Sequence, residues 1–192
     1  MPWLTDAGHA LATMMLNVIN GARAFTFQNY TEVNVKTGAQ RVASAILTVN
    51  AGAQNYIGFR TGALPVVIKS RLINQVGSTR IDYSAQANRG FTGGTVIPIS
   101  NPNNIMQQPI LMQAWHTVTP AAATGATVTY LQPFPILSAG VNAASRIGAD
   151  TSGLEYVLAP NTDHVFTIAN PGTGDAVVHW WMTYFEGETD LP

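Results

Sequence analysis

The sequence contains no cysteine. This absence excludes disulfide bonds, thiolate catalysis and zinc sites built on cysteine, and it leaves the redox compartment open. The sequence also lacks a signal-peptide pattern and any apolar run long enough to span a bilayer. We therefore expect no covalent cross-links and no contact with a membrane.

Charge is scarce as well. Charged side chains make up 10% of the 192 residues, against roughly 25% in an average soluble domain. No Asp, Glu, Lys or Arg occurs between Gly90 and Ser145. Either this stretch forms polar, uncharged loops and strands, or neighbouring subunits cover much of it, because interface centres are depleted in charge. The net charge of −1 and the lack of a basic cluster predict no nucleic-acid binding.

Turn residues divide the chain after residue 41 into short strand-like runs, and no sustained helical periodicity occurs there. This pattern predicts an all-β, antiparallel β-sandwich or jelly roll. The predicted strands are Val42–Val49, Asn55–Thr61, Val66–Ile73, Thr79–Ser84, Thr95–Ile99, Ile110–Thr117, Ala126–Leu131, Leu154–Leu158, Asp163–Ala169 and Ala176–Glu186.

The last two runs flank a turn rich in Gly, Pro, Asn and Asp, and this arrangement predicts an antiparallel hairpin. Side chains alternate along a strand, so the final run has one face with Trp180 and another with Trp181 and Phe185. Neither face is typical of a solvated surface. One face can form the core, and the other must then lie against a sheet, a segment or another subunit.

Before the strands, apolar residues recur at three- and four-residue spacing from Leu4 to Ala22. This spacing predicts an amphipathic helix that ends at Asn20-Gly21. A short apolar run, Ala24–Phe27, and a polar extended stretch follow. We therefore predict an N-terminal helix and arm over residues 1–40 that anchors the protein, and a sandwich domain over residues 41–192.

The search for catalytic and ligand sites gives weak signals. His164 and His179 could face each other across the closing hairpin as a metal site or a general base, or form local hydrogen bonds only. A glycosidase needs two carboxylates about 5–10 Å apart. Among the strand segments only Asp82 and Glu155 are obvious candidates, and nothing in the sequence pairs them. Tryptophan and tyrosine raise the alternative of a sugar platform, although adjacent tryptophans on a strand point to opposite faces. We predict no enzyme activity, no cofactor and no metal.

The predicted functional residues are therefore interface residues. They are apolar or aromatic side chains of the helix, the run that follows it and the two-faced strands, namely Leu4, Leu11, Met15, Phe25, Phe27, Trp115, Trp181 and Phe185.

Two stretches carry a resemblance to structural proteins of tailed bacteriophages. The run Leu4–Leu11, followed by Phe25–Phe27, resembles the N-terminal attachment pattern of tail-fibre and baseplate-attached proteins. The Gly-Asp-Gly usual in that group is absent, and the chain reads Gln28–Thr31 there. The run Leu158–Asn170, with the Gly-rich turn and the aromatic strand after it, is similar to the closing hairpin of jelly-roll decoration, or cement, proteins.

This resemblance implies a virion structural protein that is assembled in the host cytoplasm. The expected partners are the major capsid protein or other virion proteins, in a homo-oligomer for which a trimer is favoured. The leading hypothesis is a capsid decoration protein that stabilises the shell. The alternatives are a tail, baseplate or head-fibre component and, more remotely, a carbohydrate-binding sandwich.

Overall fold

The computed structural model describes residues 14–19, 22–27, 39–103, 105, 109–138, 145–149 and 156–187. Within these ranges every regular element is a strand, which confirms the all-β class. The strands are β1 (Met14–Ile19), β2 (Ala22–Phe27), β3 (Gln40–Val49), β4 (Gln54–Arg60), β5 (Val66–Val76), β6 (Arg80–Ala87), β7 (Phe91–Thr92), β8 (Thr95–Val96), β9 (Ile99–Ser100), β10 (Gln113–His116), β11 (Thr119–Pro120), β12 (Val128–Leu137), β13 (Ser145–Ala149), β14 (Tyr156–Leu158), β15 (Asp163–Ala169) and β16 (Ala176–Glu186).

Two antiparallel sheets form the body of the protein. Sheet I has the order β12-β6-β15-β4-β10-β8, and sheet II has the order β13-β5-β16-β3-β9, with β14 pairing beside β13 along the same edge of β5. The long strands enter the two sheets in turn: β3 and β5 lie in sheet II, whereas β4 and β6 lie in sheet I. This alternation makes the chain cross from sheet to sheet after almost every long strand.

One apolar core lies between the sheets. Alternate residues of strands from both sheets are fully buried in it, as the 2.0-residue period of a strand requires. Trp180 of sheet II lies at its centre and contacts two rings of sheet I, with its ring centroid 5.4 Å from that of Phe59 and 6.3 Å from that of Phe166. The sandwich prediction is therefore confirmed by the core that joins the two sheets.

The predicted N-terminal helix is wrong where it can be checked. Residues 14–19 form strand β1, which pairs with β2 as an antiparallel hairpin in register Ile19↔Ala22. This register leaves two residues between the strands, Asn20-Gly21, and Asn-Gly is the preferred sequence for a two-residue hairpin connection. The sequence analysis interpreted the same pair as a helix stop. Residues 4–13 of the predicted helix lie outside the described residues.

The predicted closing hairpin is also wrong, although both of its strands have the predicted bounds. β15 pairs with β4 and β6 in sheet I, whereas β16 pairs with β3 and β5 in sheet II. Asn170 holds the crossing between them: its buried side-chain amide donates to the carbonyls of Val49 (2.8 Å) and Gly174 (2.9 Å) and accepts from the hydroxyl of Ser78 (2.6 Å). The turn therefore connects two sheets and not two neighbouring strands.

A ribbon of the same chain covers part of the outer face of sheet I. The short strands β7 and β11 pair with each other and bring Phe91 and Val118 over Val165, which is fully buried although it lies on the outer side of β15. Gly58 lies directly beneath this ribbon. A Cβ at this position would lie 2.7 Å from the ring of Phe91, so only glycine allows the close approach.

Candidate assembly surface

The described residues provide no such cover over most of the outer face of sheet II. Nine residues from three neighbouring strands form it, and in this article they are called the sheet II face: Ser44, Ile46 and Thr48 of β3, Leu72, Asn74 and Val76 of β5, and Val177, His179 and Trp181 of β16. The strand register places them in rows of three across the sheet, and their neighbours along each strand point into the core.

The sheet II face contains no Asp, Glu, Lys or Arg. Five of its nine residues are apolar, and three of these are open: Ile46 is 69% exposed, and Val177 and Val76 are 44% and 40% exposed. Three rows on three strands cover roughly 300 Å² at the usual strand and residue spacings. The apolar residues supply a little over half of this area, and exposed apolar patches often mark interaction sites.

The two adjacent tryptophans have different environments. Trp180 is completely buried in the core, whereas Trp181 is half-buried on the sheet II face, where it lies between Ser44 and Leu72 in the register. The face assignment of the final strand, made from its alternation, is confirmed. A partner's contact with Trp181 stays a prediction.

At the far end of the outer surface of sheet II, other residues of the same chain already cover the side chains of β16. Thr183 and Phe185 are each only 5% exposed. The Thr183 hydroxyl lies 2.5 Å from that of Ser70, and the ammonium of Lys69 lies 5.1 Å from the ring centroid of Phe185. Phe185, a predicted interface residue, therefore has little surface left to offer a partner. Among the residues that the structure describes, the sheet II face is therefore the open part of this outer surface.

The other predicted interface residues are distributed over the chain. Leu4 and Leu11 lie outside the described residues. In the β1–β2 hairpin, Met15 pairs with Thr26, Phe25 with Leu16 and Phe27 with Met14.

Trp115, another predicted interface residue, contacts the cover of sheet I. It is half-buried, and its ring centroid lies 5.5 Å from that of Phe91. Its contact with a partner stays a prediction.

The outer face of sheet I differs from the sheet II face because it carries charged side chains. Arg60 and Asp163 form a two-pronged ion pair on its outer face, with nitrogen–oxygen distances of 2.7 and 3.0 Å. Arg80 and Asp82 form a similar pair at 2.7 and 2.9 Å. The hydrogen bonds to Asp163 and its negative charge raise the pKa of Arg60 above its usual value. The outer face of sheet I thus carries two ion pairs, whereas the sheet II face carries no charged side chain.

The residues considered for catalysis do not converge. His164 points into the sandwich from sheet I and His179 points outward from sheet II, so the idea that they face each other is wrong. Asp82 is held by Arg80, and Glu155 lies outside the described residues. No group of three or more metal-binding side chains occurs in the described ranges. The part of the chain that the structure describes also has no helix suited to crossing a membrane.

Comparisons with known proteins give only distant structural similarity. No protein-family model and no curated protein sequence matches the chain. Among solved structures, it is similar to T=1 particles derived from infectious bursal virus (12% identity, TM-score 0.21), to the T13 particle of that virus (12%, 0.21) and to a subviral particle of its VP2 protein (12%, 0.18). These matches cover 90% of this chain but only 44%, 43% and 45% of the viral chains. At such TM-scores the similarity carries no argument about function.

Sequence reasoning missed the cover of sheet I and hence the difference between the two outer faces. The available signal was Gly58. It is the single glycine of β4, and it lies on the outer side of that strand together with Tyr56 and Arg60. A glycine in a strand interior often marks a close backbone approach. The identity of the covering segment depends on pairing between residues about 30 positions apart, β7 with β11, which the sequence does not specify.

Proposed function

We propose that this chain is a virion structural protein, and specifically a bacteriophage capsid decoration, or cement, protein. The observation that carries this proposal is the sheet II face, an open, charge-free surface with five apolar residues, in contrast to the outer face of sheet I with its two ion pairs. An apolar surface of this size is stabilised by burial against a partner, at about 25 cal/mol for each Å² removed from water. A protein that binds the assembled shell, and not its separate subunits, then shifts the equilibrium toward the assembled shell.

The strand order supports a jelly roll. Each sheet of the sandwich has a four-strand core, β13/β14-β5-β16-β3 and β12-β6-β15-β4, filled by strands that alternate between the sheets along the chain. Two four-stranded sheets joined in this way are the arrangement expected for a jelly roll, a fold common in viral capsid proteins. The sequence resemblance to phage decoration proteins adds to this argument, and a non-enzymatic role is part of the proposal.

The size of the sheet II face limits what it can do alone. A standard interface buries about 800 Å² on each partner, and the sheet II face supplies roughly 300 Å². We therefore propose that residues 1–40 contribute the remaining contacts as an attachment arm, with the major capsid protein as the partner and a homo-oligomer, favoured as a trimer, as the bound form. The protein would then be located in the virion.

Co-sedimentation with capsid shells tests this proposal. Shells assembled from the major capsid protein of the same particle, without this chain, are mixed with the purified protein and pelleted. We expect binding that saturates at a fixed ratio to the capsid subunits. Binding to isolated tails or baseplates and not to shells would instead support the alternative, a tail, baseplate or head-fibre component.

A further inference from the structure

A cavity of about 350 Å³ opens at one side edge of the sandwich, between the edge strands β12 and β14. Tyr130 comes from β12, Tyr156 and Leu158 come from β14, and His164 comes from β15 behind them. Two exposed valines, Val128 and Val157, form its mouth. Its volume is at the small end of the range for ligand-binding pockets, 300–1,000 Å³.

Two polar groups in this cavity make no hydrogen bond of normal geometry to the residues that the structure describes. His164 is 1% exposed, and neither of its ring nitrogens makes such a bond; only the backbone of Ala159 acts on the ring as a hydrogen-bond partner, and it raises the pKa less than burial lowers it. The buried hydroxyl of Tyr130 is unpaired, and the centroids of the Tyr130 and His164 rings are 5.9 Å apart, with the rings nearly perpendicular. Buried polar groups are rarely left without a partner.

Aromatic rings form the apolar part of the cavity. The ring centroids of Tyr130 and Tyr156 are 6.0 Å apart, and the guanidinium carbon of Arg71 lies 4.1 Å from the centroid of the Tyr156 ring. Arg71 is not part of the lining, which contains no Asp, Glu, Lys or Arg. An occupant would therefore meet two tyrosine rings, aliphatic side chains and neutral hydrogen-bonding groups.

We propose that this cavity binds a neutral, hydroxyl-bearing ring of the size of one pyranose. The apolar face of such a ring packs on the tyrosines, and its hydroxyl groups supply partners for the imidazole of His164 and the phenol of Tyr130. A hydrocarbon would leave both groups unpaired, and an ion would lose its hydration without a counter-ion in the lining. The sheet II face takes no part in this site, so the inference is independent of the proposed assembly role.

Saturation-transfer NMR with the full-length protein tests the inference. The probes are methyl pyranosides, a pyranuronic acid as a charged analogue and cyclohexanol as an apolar analogue. A ligand of this size that fits well has a Kd of about 1 mM. We expect at least one neutral pyranoside to bind in this range, and the uronic acid and cyclohexanol to bind about tenfold more weakly or not at all.

Two tyrosine variants provide a matched comparison. Tyr130→Phe removes the hydroxyl in the cavity and should weaken pyranoside binding about fivefold, the effect of one hydrogen bond. Tyr83→Phe removes another buried hydroxyl, which interacts with Trp180 and Arg71 and does not line the cavity, and should leave affinity unchanged. Val157→Trp, at an exposed position of the mouth, should block binding without affecting the core.

Three results would overturn the inference. The first is the absence of binding by every pyranoside up to tens of millimolar, with buried water as the occupant. The second is equal affinity for cyclohexanol and for the pyranosides. The third is an equal effect of the Tyr130 and Tyr83 variants on binding.

Discussion

The two outer faces of the sandwich differ in cover and in charge. Sheet I has two ion pairs on its outside, and a ribbon of the same chain covers its apolar Val165. The sheet II face has no charged residue, and nothing in the described part of the chain covers its exposed apolar residues Ile46, Val76 and Val177. The comparison teaches that the described part of the chain covers apolar surface on one outer face and leaves it open on the other.

The largest expected effect separates the two adjacent tryptophans. Trp180→Ala should lower the free energy of unfolding by about 3–5 kcal/mol, because it removes a fully buried ring from the core. Trp181→Ala should lower it by less than about 1.5 kcal/mol and should instead weaken association at least tenfold, as loss of an interface aromatic does. Urea denaturation and sedimentation velocity measure the two effects. Equal losses of folding stability in both variants would contradict the assignment of the two sides of β16.

A charge placed on the sheet II face should have the next largest effect. Ile46→Lys is expected to weaken binding to the particle about 100-fold, because an unpaired charge buried in an interface costs about 3 kcal/mol. Val96→Lys is the matched control, since Val96 is an aliphatic residue of nearly equal exposure, 66%, at the edge of sheet I. Co-sedimentation with shells measures both variants. If Val96→Lys weakened binding as much as Ile46→Lys, the proposed docking face would be wrong.

The cover of sheet I can be disturbed directly. Gly58→Ala places a methyl group 2.7 Å from the ring of Phe91, and overpacking of this kind costs about 1–3 kcal/mol. The indole NMR signal of Trp115 should shift as Phe91 moves away from it. Gly125→Ala is the control, because no atom lies within 4 Å of the added carbon. An unchanged Trp115 signal in Gly58→Ala would show that the ribbon is not packed on sheet I as described.

We expect folding stability to depend on pH because His164 is buried on the inner side of sheet I. Burial lowers the pKa of His164 to about 4 from its usual 6.5, against smaller opposing effects of the Ala159 backbone and Asp163. Between these two values the unfolded chain binds more protons than the folded chain, so stability falls as pH decreases. The free energy of unfolding should be about 2 kcal/mol lower at pH 5 than at pH 7.

Urea denaturation at the two pH values measures the effect of His164. His164→Gln should remove most of the difference, whereas His179→Gln, on the exposed side of sheet II, should preserve it. If the unfolding free energy of His164→Gln still differed by about 2 kcal/mol between pH 5 and pH 7, groups other than His164 would be responsible.

The smallest expected effect on folding stability concerns the N-terminal segment. Among the described strands, β1 and β2 pair only with each other. Deletion of residues 1–38 should therefore change the free energy of unfolding of the sandwich by less than about 1 kcal/mol, while it abolishes binding to shells. Circular dichroism and co-sedimentation check the two parts. An unfolded product would show that this segment is required by the sandwich and is not a separate arm.

Local signals in the sequence predicted much of the fold. Alternation and turn residues placed most of the strands after residue 41, and β15 and β16 have the predicted bounds, whereas β7, β11 and β13 were not predicted. These signals could not tell a hairpin from a crossing between sheets, because the choice depends on contacts such as that of Asn170 with Val49, 121 positions away. The error at β1 has a local cause: its apolar residues fit both helical and strand spacing, and Asn20-Gly21 favoured the strand.

The candidate site was predicted in part. Strand alternation identified the second side of β16, including Trp181, as a surface that needs a cover. The contributions of β3 and β5 to the same face depend on pairings with residues more than 100 positions away, such as Trp181 with Ser44 and Leu72. The cavity at the sandwich edge depends on residues from three strands and was not predicted, and the sequence analysis raised only a sugar platform of tryptophan and tyrosine side chains as a remote alternative.

Cryo-electron microscopy of the particle that carries this protein, at a resolution that separates the two sheets, tests the central claim most directly. The account predicts density from a neighbouring subunit against Ile46 and Trp181, with the Arg60–Asp163 pair of sheet I facing solvent. A sheet II face open to solvent, with sheet I against the neighbour, would contradict it.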